Sequence, residues 1–194
     1  SSYVTASITP TANRLLVVSI GNNKVAPVTT PTLSGNGITW TQINTVDNTG
    51  VRMTMFRGVG TSPTTGAITI DFGGTNQLNC HWSVIEFNNV DTTVTQGVVQ
   101  SITGSGTDAI ATQTITLAAF SSRKNATFGS MIVNRADVAN IAPGTDFTEI
   151  TETSVTNQTL QSQFLNINDT SVDWSWDGTG GATRALIAIE IERI

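Results

Sequence analysis

The sequence predicts an all-β fold: one antiparallel β-sandwich over residues 1–194, jelly-roll-like, with about a dozen strands. Three observations lead there. Charged residues make up 12% of the chain, about half the ordinary share. Thr, Asn, Ser and Gly take the places that Lys and Glu fill in helices, and these types fit strands and turns. Short apolar or alternating runs recur, each closed by a turn cluster, and no window carries a helical i, i+3, i+4, i+7 stripe.

The runs are read in order. Arg14–Ile20 ends at Gly21-Asn22-Asn23. Ile38–Val46 sits between Gly35-Asn36-Gly37 and Asp47-Asn48-Thr49-Gly50. Val51–Val59, Ala67–Phe72 and Leu78–Phe87 complete the first half. The second half adds Val98–Thr103, Gln113–Leu117, Thr127–Val133, Phe147–Thr153, Leu160–Ile167, Val172–Trp176 and Ala182–Ile191. Period-two alternation puts Ile68, Ile70 and Phe72 on one face. It pairs Val172 with Trp174 and Trp176, opposite Asp173, Ser175 and Asp177. In the last run Ile187, Ile189 and Ile191 oppose Arg184 and Glu190. Ser101–Thr107 (SITGSGT) reads as a loop or strand-end connection, Asp177–Gly181 as a flexible turn, and Arg135–Asn140 as a short helical turn. No repeat of fixed period is evident, which weakens solenoid and propeller readings.

Charge and cysteine usage exclude several functions. The net charge is −5 and the nine basic residues are scattered, so no cationic face exists for nucleic acid. Cys80 alone permits no internal disulfide. No stretch approaches the ~20 apolar residues of a membrane helix. A start at Ser1 in place of Met is expected for a processed product or an excised domain.

Four segments carry a resemblance. They are Asn13-Arg14-Leu15-Leu16-Val17-Val18; Gly37-Ile38-Thr39-Trp40-Thr41 with Met53-Thr54-Met55-Phe56-Arg57; Pro63–Ile70 leading into Val84–Asp91; and Trp174-Ser175-Trp176 before the closing strand. In this order the chain resembles a β-sandwich module of phage virion proteins and of large secreted or surface proteins of bacteria. The resemblance implies a non-enzymatic structural or adhesive unit and supplies no catalytic or ligand residue. That pattern reads Gly-Val-Asp where this chain has Asn89-Val90-Asp91, which implies a corner of different shape.

The residues yield no convergent chemistry. Any Ser-His-Asp or Cys-His site needs His81, the one histidine, and its neighbour Cys80 points to the opposite face of a strand. With one His and one Cys, zinc is not expected. Calcium would draw on Asp169, Asp173 and Asp177, or on Asp47 with Asn48, but no EF-hand spacing is present. A glycosidase pair would come from Glu86, Glu149, Glu152 and Glu190; Glu149 and Glu152, three apart, fall on opposite faces of a regular strand. Trp40, Trp82, Trp174 and Trp176 could stack on sugars, as could Tyr3, yet the tryptophans read as core. Asn125, Asn157 and Asn168 begin sequons, which chance produces in so Asn- and Thr-rich a chain.

No catalytic, cofactor or metal residue is therefore assigned, and the chain is expected not to be an enzyme. The expected role is a virion structural protein (capsid decoration, head fibre or tail fibre), oligomeric and contacting other virion or surface proteins. The alternative is a carbohydrate-binding or adhesive module of a secreted bacterial surface protein, with a cell-surface glycan as partner. No nucleic acid or membrane partner is expected, and the location is virion or extracellular.

Overall fold

A computed structural model describes residues 1–23, 29–107, 110–135, 138, 140–155, 157–178 and 182–194. The strands in chain order are β1 (Ser2–Val4), β2 (Leu15–Asn23), β3 (Thr32–Ser34), β4 (Trp40–Asn48), β5 (Val51–Val59), β6 (Thr69–Asp71) and β7 (Asn79–Phe87). There follow β8 (Val98–Gly106), β9 (Thr112–Thr116), β10 (Ala126–Asn134), β11 (Ile141–Pro143), β12 (Thr148–Val155), β13 (Gln158–Leu165), β14 (Ser171–Trp176) and β15 (Thr183–Ile191). All strand pairings are antiparallel, and the described residues contain no helix. The all-β sandwich read from the sequence is the fold. Every expected run holds a strand, and three unexpected strands of three residues each are β1, β3 and β11. The helical turn expected over Arg135–Asn140 and the turn at 177–181 lie in part outside the described residues.

Four layers stack. Two large sheets, β4-β5-β2-β7 and β12-β13-β10-β15-β8, face each other. Between them lies a core that includes Leu15, Val17, Met53, Met55, Phe128, Leu160, Ile187 and Ile189. The small sheet β1-β6-β3 covers the outer face of the first large sheet through Val18, Ile20, Phe56, Ile68, Ile70 and Phe72. The small sheet β11-β14-β9 covers the second, through Met131, Leu186, Ala188, Val172, Trp174 and Trp176. Large sheets covered on both faces explain the continuous apolar runs of β2, β10 and β15, because a strand buried on both sides has no solvent face to alternate with.

The layering separates Ile187, Ile189 and Ile191 of the closing strand, which fill the core between the large sheets, from Trp174 and Trp176, which pack under the small sheet β11-β14-β9. The opposite face of β15 is buried too. Arg184 is 2% exposed, stacks 5.1 Å from the Trp176 ring and donates to Gln113 Oε1 at 2.7 Å. Glu190 is fully buried and accepts from Asn125 Nδ2 at 2.6 Å, Ser121 N and Oγ at 3.0 Å, and Gln100 Nε2 at 2.6 Å. The stretch Ser101–Thr107, read as a loop or strand-end connection, is strand as far as Gly106.

The chain folds one topology twice. Each of β1–β7 matches the strand eight places later: β4-β5-β2-β7 repeats as β12-β13-β10-β15, and β1-β6-β3 as β9-β14-β11. Details repeat as well. The bulge between Gln42 and Asn44, opposite Phe56 and Met55, recurs between Glu149 and Thr151, opposite Gln163 and Ser162. Ile38 N donates to Gly35 O at 3.2 Å, and Phe147 N to Gly144 O at 3.1 Å. Glu86 accepts from Thr11 N at 2.7 Å and Arg14 at 3.0 Å, as Glu190 accepts from Ser121 and Asn125. Equivalent residues meet across the middle: Asn23 Nδ2 donates to Asn134 Oδ1 at 3.0 Å. A Cβ on Gly21 would stand 2.7 Å from the side chain of its counterpart Ile132, so glycine permits this crossing. The halves therefore relate by an approximate two-fold axis that passes between β2 and β10. One element breaks the symmetry: β8 pairs with β15, and the described strands include no counterpart on β7.

The corner at Asn89-Val90-Asp91 joins the halves. Val90 bridges to Arg193, Asp91 N donates to Glu192 O at 3.0 Å and Ile194 N to Asn89 O at 3.2 Å. Asn89 has φ 53°, a left-handed conformation that glycine takes freely and Asn tolerates.

Candidate functional site

The candidate site is the open edge of β7. Among the described strands β7 pairs with β2 alone, and its residues alternate between two interiors. Asn79, His81, Ser83, Ile85 and Phe87 face the second large sheet, while Cys80, Trp82 and Val84 face the small sheet β1-β6-β3. Its counterpart β15 is buried at every position from Arg184 to Ile191; in β7 only His81, Ser83 and Phe87 reach that class. β7 also lacks the usual guards of an exposed edge. It pairs with β2 without a register shift, contains neither Pro nor Lys, and carries one charge, Glu86.

The groove along this edge consists of two cavities between β7 and β12–β13 of the other sheet. At one end Ile85 and Phe87 face Ile150 and Phe164 around a cavity of about 220 Å³. At the other, a cavity is lined by Cys80, His81, Trp82 and Thr153, and His81 faces Thr153. Ile150 is 40% exposed and Val155 53%. Both belong to β12, and Ile150 is its bulge residue.

His81 is buried, with Nδ1 3.1 Å from Thr153 Oγ1. Burial holds its imidazole below the ordinary value, so it is neutral at neutral pH. Behind it Ser83, Ser162 and Ser130 form a buried chain of hydroxyl contacts at 2.8 and 2.6 Å. This polar string lies between the two large sheets.

Cys80 is half-buried, and its neighbour Leu78 is 64% exposed. Burial nevertheless pushes the thiol up to about 12. Because the thiolate is the reactive form, Cys80 is expected to label slowly in the native protein and rapidly once unfolded. Equal rates in both states would contradict this.

The other candidate residues do not converge. For Glu86, burial works to raise the pKa, but the Thr11 hydrogen bonds and Arg14 outweigh it and hold the carboxyl below its usual range. Glu86 and Glu190 are the equivalent tethers of the two halves and not a catalytic pair. Glu149 and Glu152 lie on one face of β12, not on opposite faces as expected. The bulge inserts Ile150, so the two glutamates oppose Gln163 and Gln161. Burial first, then the neighbouring charges of Glu149 and Asp177, raise the Glu152 pKa against the Ile141 N–H that it accepts at 3.2 Å. The calcium candidates are separately engaged. Asp169 accepts from Ser171 N at 2.9 Å, Asp173 from Thr114 Oγ1 at 2.5 Å and Asp177 from Asn140 Nδ2 at 2.9 Å. Asp47 pairs with Arg52 at 3.4 Å, and Asn48 donates to Gly106 O at 2.8 Å. Among the described residues no group of three or more His, Cys, Asp or Glu could hold a metal ion.

Trp174 and Trp176 are core, at 2% and 6% exposed. Trp40 and Trp82 are half-buried against the first small sheet, and Trp40 Nε1 donates to Gly35 O at 3.4 Å. Tyr3 is half-buried, its ring 5.8 Å from that of Phe72. The sequon residue Asn125 is 1% exposed and spent on Glu190. Sequence reasoning missed the groove because its walls come from strands of different halves; the signal available was β7 itself, a long run without Lys or Pro.

No family model matches the chain, and no match appears among curated proteins or solved structures.

Proposed function

We propose that the chain is a structural interaction module that joins other proteins, with a virion shell or fibre as its setting. The observation that carries this reading is the unguarded β7 edge, lined by Ile85, Ile150 and Phe164, on a scaffold where His81, Glu86, Glu190 and Asp173 hold internal contacts. A long edge with unpaired N–H and C=O groups and an apolar lining gains by association and costs solubility when left bare. A low charge density lets neighbours pack without strong like-charge repulsion.

The second reading, an adhesive module of a secreted bacterial surface protein, is favoured by Trp82. Its half-exposed ring beside His81 is placed to stack on a sugar face. Two experiments separate the readings. A virion component copurifies with particles at fixed stoichiometry. An adhesive module binds glycans as the isolated chain and loses them in Trp82→Ala. Glycan binding with no stable protein partner would overturn the first reading.

A further inference from the structure

The approximate two-fold axis gives the β7 groove a filled counterpart. There β8 extends the second large sheet beyond β15, from Val98 opposite Ile191 to Gly106 opposite Arg184. It lies against β4 of the other sheet, whose side chains hold it. Asn44 Nδ2 donates to Ser101 Oγ at 3.1 Å, and Asn48 Nδ2 to Gly106 O at 2.8 Å. Arg57 of β5 donates to the chain entering β8, at Thr95 O (2.5 Å) and Val98 O (3.5 Å). The bulge residue Ile43 packs into the core there.

On the empty side every wall has its equivalent, but the chemistry changes. Asn48 is replaced by Val155, Arg57 by Phe164 and Asn44 by Thr151, while the bulge residue Ile150 stands 40% exposed. Resting on the reading of the chain as an interaction module, we infer that the β7 groove accepts one extended strand of a partner polypeptide. It enters antiparallel to β7 and takes the place that β8 takes beside β15.

The geometry also states what that strand is like. Carried over from β8, its register runs from a residue opposite Phe87 to one opposite Cys80. Positions facing the second large sheet lie opposite Ile85, Ser83 and His81. β8 places Ser101, Thr103 and Ser105 at the matching positions. In the open groove the first of these meets Ile85, Ile150 and Phe164, so an apolar residue is required there. Near His81 and Thr153 a small polar one fits. Main-chain hydrogen bonds to β7 supply affinity and the alternating side chains supply specificity.

The occupant is a single strand and not the sheet of a second copy. Thr153, 3.1 Å from His81, and Ile150 place β12 over the β7 edge. β4 stands over β8 in the same way, through Asn44 on Ser101 and Asn48 on Gly106. A second β7 brought edge to edge carries its own β12 into this one.

The test uses the whole chain and a nine-residue peptide of the Val98–Gly106 sequence carrying Ser101→Val. The peptide is expected to protect the backbone amides of Cys80–Phe87 from exchange and to slow Cys80 labelling, leaving β15 unchanged. Ile150→Asp and, separately, Val155→Asp alter exposed side chains, so both variants are expected to fold. Each puts a charge against the bound strand and is expected to weaken binding about tenfold or more. Failure of the peptide to protect β7, undiminished binding by both folded variants, or β7 protected in a self-associated free chain would each overturn the proposal. Assembly of Ile150→Asp into native particles at wild-type stoichiometry would overturn the groove and leave the module reading standing. Peptide binding by a chain that joins no assembly would do the reverse.

Discussion

Trp174→Ala is expected to lose about 3–5 kcal/mol of folding stability, the range for truncating a buried tryptophan. The ring is 2% exposed between β14 and the outer face of β10. It lies on Gly129, where a Cβ would come within 2.7 Å of the indole, so the backbone there is shaped to the ring. Its Nε1 donates to Gln161 Oε1 at 2.9 Å, and truncation leaves that buried acceptor unpaired at a further cost of about 1–3 kcal/mol unless water enters. Denaturant unfolding checks this. Wild-type stability in the variant would contradict the core assignment.

The second large effect separates two equivalent glutamates. Glu190→Ala is expected to cost about 3 kcal/mol. The donors of Asn125, Ser121 and Gln100 lose their acceptor at roughly 1–3 kcal/mol for each left buried. The loss is smaller than the sum because removing the carboxylate also relieves its desolvation. Glu86→Ala, at the matching place in the first half, is expected to cost under about 1 kcal/mol. Its side chain is 24% exposed and its partner Arg14 44%, so water replaces both. Equal losses would show that the edge beside Glu86 is as closed as that beside Glu190.

The contrast between these glutamates marks what the sequence made legible. Alternation located the strands, because burial on one face of β6 and β14 writes Ile68-Ile70-Phe72 and Val172-Trp174-Trp176 directly into the chain. It also identified Trp174 as core. Three-residue strands such as β3 are too short to show a period. The SITGSG segment became strand through pairing with β15, a tertiary effect that outweighs its Gly and Ser content. The bulge at Ile150 shifts the period by one residue and reverses the faces assigned to Glu149 and Glu152. The repeat stayed hidden because the halves share few identities, such as Ser19 with Ser130, Asn23 with Asn134 and Glu86 with Glu190. What they share is backbone path, and different side chains fill equivalent places: Gly21 and Ile132, Arg57 and Phe164.

The open groove depends on that comparison, and native-state amide exchange tests it most directly. β7 is hydrogen-bonded on one side and β15 on both. In the free chain, alternate amides of Cys80–Phe87 are expected to exchange about a hundredfold faster or more than their counterparts in Arg184–Ile191. The other amides of β7, which bond to β2, are expected to match β15. Uniform protection along both strands would contradict an open β7 edge and, with it, the interaction role argued for this chain.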